Sequence, residues 1–396
     1  MTTQQNTDGE IFQNTIRILK DLIKFQTVSG KSNIQLIEYC ENLLNKSGAV
    51  STKTFNKSKT QANLFSTIKG NGSNEKGIVL SGHTDVVPAI ASEWASNPYE
   101  AREDDNKIFG RGSCDMKGFI ACTLAVAPLF GSKKLKKPIH FSYTFDEETG
   151  CLGAPLVLTD LKKRNLNFSA CIIGEPTNMK AIIANKGYNE YVTHFTGVSG
   201  HASNPENGVS AIEYAIEYSN KLFELRNKLK TRTIKNKIFS PPYSTLQIGK
   251  ISGGIGANII ADKCSLEWEL RPISKEDEVF VTKSIDDFTS DILLPKLKRN
   301  NPKGNIKKEI IGEVVGFYKE DNSEATNLVC NLTGDNSIGT MSFGTEAGLF
   351  QKSGISTVIC GPGSIDQAHT VDEFISYDQL KKCLKMLISL REKMIN

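Results

Sequence analysis

The sequence has no excess of either charge. Its 48 basic and 44 acidic side chains leave a net charge of +4 across 396 residues. That excludes the strongly basic balance of a general nucleic-acid binder and the acidic composition of a disordered tail protein. Long hydrophobic runs are also missing: no uninterrupted apolar stretch approaches the roughly 18 residues of a membrane span. The opening residues, MTTQQNTDGE, lack the basic-then-apolar order of a signal peptide. The nine cysteines are scattered singly, and no C-x-x-C pair occurs. A zinc ribbon and a thioredoxin-like redox pair are therefore disfavoured. Cys122, Cys171, Cys264, Cys360 and Cys383 lie in apolar stretches and read as small buried hydrophobes in a reducing compartment. There is no internal repeat and no low-complexity tract. These absences predict a soluble, cytoplasmic protein that engages neither nucleic acid nor membrane.

What is present looks globular. Hydrophobic residues make up 39% and charged residues 23% of the chain, near ordinary values, and the length suggests two or three domains. The apolar spacing predicts helices from about Ile11 to Phe25 and Asn33 to Asn45. Further helices are expected near Gly118 to Leu129 and Ala154 to Lys163. Short apolar runs at Asn63 to Ile68, Gly77 to Leu80, Ile139 to Phe145 and Ala170 to Ile173 read as strands between them. That alternation predicts an α/β sheet covered on both faces. The pattern changes after Lys186-Gly187. A strand (Tyr188 to Phe195), a long helix (Ser210 to Leu229) and two strands (Thr245 to Ile251 and Ala261 to Arg271) follow. A second helix covers Lys275 to Leu294, with Ser274 as its cap, and a strand lies near Asn305 to Ile311. This βαββαβ order predicts a ferredoxin-like insert. The basic stretch Lys296 to Lys308 reads as an exposed link. The α/β character then returns, with a strand at Thr357 to Cys360 and a last helix from Tyr377 to Lys393. The expected domains are 1–186 and 313–396 for the interrupted α/β domain and 187–312 for the insert. Hinges are expected near Lys186-Gly187 and around Pro302 to Asn305.

The chemistry is concentrated where strands end. His83 and Asp85 sit in SGHTDVVP, Asp115 in GRGSCDMKG, Glu147 and Glu148 in TFDEETG, Glu175 in IIGEPT and His369 in GPGSIDQAHTVDE. Open α/β sheets bind ligands outside the carboxyl ends of their strands. So many carboxylates and imidazoles meeting there would repel one another, or lose too much hydration, unless cations neutralised them. Mixed imidazole and carboxylate ligands suit zinc.

These motifs, with CIIGEPTNMKAIIANKG and GPGSIDQAHTVDEF as the most telling segments, resemble the acetylornithine deacetylase and succinyl-diaminopimelate desuccinylase family of di-zinc amidohydrolases. The likeness runs over almost the whole chain. It implies a mixed-sheet zinc-peptidase catalytic domain carrying an inserted ferredoxin-like dimerisation or lid domain. It also implies two zinc ions per subunit, with cobalt or manganese able to satisfy the same ligands. His83 and Glu175 would hold one ion, Glu148 and His369 the other, and Asp115 would bridge them. Asp85 would accept the free ring N–H of His83 and fix its tautomer. The peptide after Asp115 would be cis. Glu147 would act as general base toward a zinc-bridging hydroxide and return the proton to the leaving amine. His201, in GVSGHASNPENG, would reach into the partner subunit's site and stabilise the oxyanion, which implies a homodimer formed through the insert. Asn258 and Arg271 resemble substrate-binding positions; as plain sequence Arg271 is also an ordinary strand-end charge. His140 and His194 match no motif and read as structural.

The resemblance favours N2-acetyl-L-ornithine as substrate, cleaved to acetate and L-ornithine as in arginine biosynthesis. Glu346, in FGTEAGLF, has the charge to pair with the substrate's δ-amine, or alternatively to favour the start of a helix. A succinyl-diaminopimelate desuccinylase and a broader N-acyl amino acid deacylase remain open. The former would need an extra cationic anchor, for which Lys186 is a candidate. Two further readings are a cysteine hydrolase using Cys114 with His83, and a silent metal or amino-acid binder on the same scaffold. A carboxylate beside a thiol raises its pKa, which disfavours the first. The second would predict a lost base or ligand, and none is lost.

Overall fold

A computed structural model describes residues 2–71, 75–232, 238–341 and 343–395. Twelve strands build its two larger sheets. They are β1 (Val50–Phe55), β2 (Ala62–Ile68), β3 (Gly77–His83), β4 (Ile139–Thr144), β5 (Phe168–Pro176) and β6 (Ala181–Asn185), then β7 (Tyr188–Thr196), β8 (Thr245–Gly253), β9 (Lys263–Arg271), β10 (Asn305–Val314), β11 (Ile338–Met341) and β12 (Thr357–Gly361). The helices are α1 (Thr2–Lys24), α2 (Ile34–Lys46), α3 (Gly118–Gly131), α4 (Ala154–Lys163), α5 (Ala211–Thr231), α6 (Lys275–Phe288), α7 (Leu294–Asn300), α8 (Glu324–Thr333), α9 (Ala347–Lys352) and α10 (Tyr377–Met394). The chain forms two compact units. One comprises Met1–Ile183, Lys319–Gly339 and Thr345–Asn396; the other comprises Ala184–Tyr318 and Thr340–Gly344.

The first unit is built on a mixed sheet in the order β1-β2-β4-β3-β5-β12-β6-β11. Its four central strands, β4, β3, β5 and β12, run parallel, so their carboxyl ends share one edge. Strand β3 is buried throughout, as expected of a parallel strand covered on both faces. Side-chain alternation divides the packing between those faces. Leu64 joins the main core with Leu80, Phe141, Ile172, Phe119, Val126 and Leu387, whereas its neighbour Phe65 packs with Val157 and Leu161 of α4. Fully burying an aliphatic or aromatic side chain of this kind contributes about 1.5–3 kcal/mol. The segment Ser113–Gly131 is long and apolar enough to cross a membrane by length and composition, but most of it is buried in this core.

The second unit is a four-stranded antiparallel sheet in the order β8-β9-β7-β10. Numbered within the unit this is 2-3-1-4, the strand order of a ferredoxin-like βαββαβ fold. Tyr218, Leu222 and Leu225 of α5 and Val281 and Ile285 of α6 pack with Phe195, Leu266 and Trp268 of the strands. The Ser274 hydroxyl accepts the N–H of Asp277 and caps α6, as its place before the helix predicts.

Three local expectations need correction. Lys296 to Lys308 is not an exposed link: it holds most of α7, anchored by buried Leu297, and the start of β10. Pro302 to Asn305 is a tight turn inside the second unit rather than a hinge. There Asn301 accepts Lys303 N–H through its side chain and Gly304 N–H through its carbonyl. The run from Ala261 to Arg271 becomes strand only at Lys263.

Candidate metal centre

Each motif arrives at the shared strand edge by a short path. His83 is the last residue of β3, and Glu175 is the penultimate residue of β5. Glu147 and Glu148 follow the end of β4, and His369 lies eight residues beyond the end of β12. Asp115 stands in the irregular turn Ser113–Lys117 that leads into α3, and the Asp115–Met116 peptide is cis, as the resemblance implies.

The side chains form two donor groups, His83–Asp115–Glu175 and Asp115–Glu148–His369, and within each group the ligand atoms lie within 4.8 Å of one another. Asp115 divides its oxygens between them. Its Oδ1 is 3.0 Å from His83 Nε2, and its Oδ2 is 3.3 Å from His369 Nε2. His83 Nε2 is 3.9 Å from Glu175 Oε1, and His369 Nε2 is 2.9 Å from Glu148 Oε1. Ligands at zinc's usual bond lengths and tetrahedral angles stand roughly 3.3 Å apart. The donor set and its spacing therefore fit one ion per group with a shared carboxylate.

Electrostatics agree with that fit. Burial, followed by the charge of Glu175, pushes the Glu147 carboxyl well up; burial, followed by Asp115, does the same to Glu175. Burial and the neighbouring Asp115 also raise Glu148. Burial opposes the charge on Asp115, yet its bonds to His369 and His83 hold it below the usual carboxylate range. His369 is pushed up to about 10 by its bonds to Asp115 and Glu148. His83 is raised despite burial, because Asp115 and Glu175 outweigh its desolvation. Beyond burial, the shifts of Glu147, Glu175 and His369 reflect negative charge crowded at the strand edge, the charge that bound cations would balance.

The expected contact between the Asp85 carboxylate and His83 is present as a close ion pair, while the ring's hydrogen bond goes to the Asp85 main chain. His83 Nδ1 lies 3.0 Å from the backbone carbonyl of Asp85 and 3.6 Å from its carboxylate. A carbonyl only accepts, so it fixes the proton on Nδ1 and leaves Nε2 facing the donors. The carboxylate also holds the turn that follows β4. Oδ1 accepts the N–H of Glu147 (3.1 Å); Oδ2 accepts the N–H of Glu148 (3.2 Å) and the Ser29 hydroxyl (2.7 Å). Asp146, left-handed at φ 50°, accepts Gly30 N–H and Gln61 Nε2 and ties down the same turn.

Glu346 belongs to this neighbourhood. It immediately precedes α9, where a carboxylate also favours the helix dipole, and makes no side-chain cap bond. It is 1% exposed, its Oε1 has no hydrogen-bond partner among the described residues, and burial pushes its carboxyl up to about 7 against the hydrogen bond from Thr144. The Cys114 thiol is buried and driven well up by burial and by Glu373 and Asp115, the opposite of an activated nucleophile.

The remaining expected site residues, His201, Asn258 and Arg271, belong to the second unit. His201 is exposed, in a two-residue strand paired with Ile259–Ile260, and its Nδ1 lies 2.7 Å from Ser203 Oγ. Asn258 accepts Ala202 N–H through its carbonyl. Arg271 pairs with both oxygens of Glu269 and lies over the Tyr188 ring. Of the two unassigned histidines, His140 is buried against Phe65 and His194 is exposed near Glu309. Sequence reasoning missed Ser29, Asp146, Arg111 and Glu373, although the last three stand inside segments singled out for their neighbours.

Residues 79–393 match the profile of Peptidase family M20/M25/M40. The chain belongs to that family. Among relatives in it, the acetylornithine deacetylase of Proteus mirabilis (strain HI4320) is 33% identical over 368 residues, 91% of each chain. The acetylornithine deacetylase of Pasteurella multocida (strain Pm70) is 32% identical over 362 residues, again 91% of each. The M20 fold is equally plain in solved structures. An aminopeptidase of Bacillus cereus ATCC 10987 superposes with a TM-score of 0.76 at 17% identity, covering 96% of this chain and 98% of that one. A dinuclear metal-binding M20 peptidase of Bacillus subtilis gives 0.66 at 15% identity, covering 97% and 98%. This M20 chain is a hydrolase with two donor groups suited to metal.

Proposed function

We propose that the chain removes the acetyl group from N2-acetyl-L-ornithine, giving acetate and L-ornithine as in arginine biosynthesis. The division of the Asp115 oxygens between two donor groups, with Glu147 beside them, carries the hydrolytic reading. Two relatives named acetylornithine deacetylase, covering 91% of this chain, support the substrate. In this reading His83 and Glu175 hold one ion, Glu148 and His369 the other, and Asp115 both. Zinc suits the donors, and cobalt or manganese could replace it. Bound there, the metal pair supplies Lewis acidity toward water and toward an amide carbonyl.

The protein's own groups do the rest. Glu147 takes a proton from the water as its oxygen bonds to the acetyl carbon and the carbonyl π-pair moves to oxygen; it then delivers that proton to the amine nitrogen, and the C–N bond breaks as the carbonyl re-forms. Asp85 fixes the Glu147 main chain by accepting its N–H. His201, supplied by the second subunit of a homodimer, donates to the carbonyl oxygen as charge develops there. Exposed Ile216 and Phe223 on α5, and Ile251 on edge strand β8, support dimerisation through the inserted unit. Asn258 and Arg271 bind the substrate's α-carboxylate end, and Glu346 meets the cationic δ-amine. Nine unpaired cysteines support a reducing, cytoplasmic location.

The desuccinylase reading gains nothing from Lys186, whose ammonium already donates to the carbonyls of Pro241 and Tyr243. The test pairs elemental analysis with kcat/KM on acetylornithine and on succinyl-diaminopimelate. Two metal equivalents per chain and preference for acetylornithine are expected. Activity that survives chelation, or preference for the succinyl substrate, would overturn the proposal.

A further inference from the structure

One buried carboxylate has no part in that chemistry. Glu373 is 1% exposed and follows His369 by four residues. Its two oxygens accept four hydrogen bonds, all from the segment that ends at Asp115. Oε2 takes Arg111 Nη1 at 2.8 Å and Gly112 N–H at 2.9 Å; Oε1 takes Cys114 N–H at 2.8 Å and Asp115 N–H at 3.0 Å. Its backbone carbonyl takes Gly110 N–H at 2.9 Å and the Ser113 hydroxyl at 3.3 Å. The segment turns at Gly112, where φ is 80° and a Cβ would stand 2.6 Å from Val86 Cγ1. A side chain there would meet both strain and a clash.

We infer that Glu373 is a positioning residue for the metal centre. It fixes the main chain of Asp115, the one carboxylate both donor groups share, and links it through four residues of chain to His369. An ordinary helix cap satisfies one or two peptide groups; here three successive-turn N–H groups and a guanidinium converge on one carboxylate. Residues that orient metal ligands typically change metal affinity or activity by about 10- to 100-fold when replaced. The inference rests on the proposed metal-dependent function.

The test uses the full chain stripped of metal, with Zn²⁺ and Co²⁺ titrated by calorimetry and the Co²⁺ absorption spectrum recorded. Glu373→Gln presents an amide N–H₂ to two of the four donors. It is expected to bind metal about 10- to 100-fold more weakly, with an altered Co²⁺ spectrum. Excess metal should restore kcat while KM for acetylornithine stays near wild type. Arg111→Met keeps the three peptide N–H donors and should show a smaller loss in the same direction; it decides the matter if Glu373→Gln does not fold. Unchanged metal affinity in the soluble variant overturns the inference, whatever happens to its melting temperature. Wild-type protein that takes up no metal would overturn the metal-dependent function and the inference together. Wild type binding two equivalents alongside a variant of equal affinity would sink only the inference.

Discussion

Asp85→Asn separates two roles that are easily confused. If the carboxylate served His83, the substitution would release the imidazole. In the structure the imidazole bonds to the Asp85 backbone carbonyl, which asparagine keeps. What asparagine cannot keep is two acceptor oxygens. With its N–H₂ at the Oδ2 position, the Ser29 hydroxyl can reverse and accept, but the Glu148 N–H faces another donor. With N–H₂ at the Oδ1 position, the Glu147 N–H is the one left facing a donor. Either orientation strands one peptide N–H in a half-buried turn, which costs about 1 kcal/mol, the lower end of the range for an unsatisfied buried donor. The turn carries the proposed base and a proposed ligand, so activity should fall about 10- to 100-fold. Ser29→Ala removes one hydroxyl and leaves both peptide bonds, so its loss should stay near about 1 kcal/mol and activity near wild type. Thermal melting and acetate release, measured on both variants at saturating metal, read these outcomes. Asp85→Asn turning over within twofold of wild type, with an unshifted melting temperature, would refute the reasoning.

The sheet was legible where burial is complete. The segments IVLSGH and ACIIGEP are parallel strands covered on both faces, and such strands read as apolar runs. Strand β1, VSTKTF, pairs on one side only and is half exposed; its polar alternation gave no run to find. Helix α8 was missed although α4, of the same ten-residue length, was read as a helix. At the site, the side chains that end strands were legible because each carries a group that needs a partner. The roles of Asp85 and Glu373 were not. Their partners are main-chain N–H groups, which every residue has, and folding brings those of Glu373 from about 260 positions away. No residue-type pattern could announce such bonds. The choice between the carbonyl and the carboxylate of one aspartate was likewise decided by turn geometry.

Glu147→Ala should retain metal by elemental analysis and lose about 10²- to 10⁴-fold in kcat; an unchanged rate would point to another mechanism. Cys114→Ser should remain active and chelator-sensitive, whereas activity that survives chelation but dies with this substitution would revive the cysteine-hydrolase reading. Glu346→Gln should reduce the preference for acetylornithine over neutral N-acetyl amino acids by about 10- to 100-fold, and unchanged selectivity would remove Glu346 from substrate recognition. His140→Leu tests acid stability. Burial, then the charge of Arg164, lowers the His140 imidazole from 6.5 to about 3, with its ring stacked on Phe65. Below pH 6.5 the unfolded chain binds a proton that the folded chain refuses. The contribution is therefore complete above pH 6.5 and drains away as pH falls toward 3, by about 1.4 kcal/mol per unit. Between pH 7 and pH 5 the wild type should lose about 2 kcal/mol more than His140→Leu, read as a larger drop in melting temperature. Equal drops in the two proteins would mean that this imidazole is not held neutral by its burial, because a leucine at the same position has no proton to refuse.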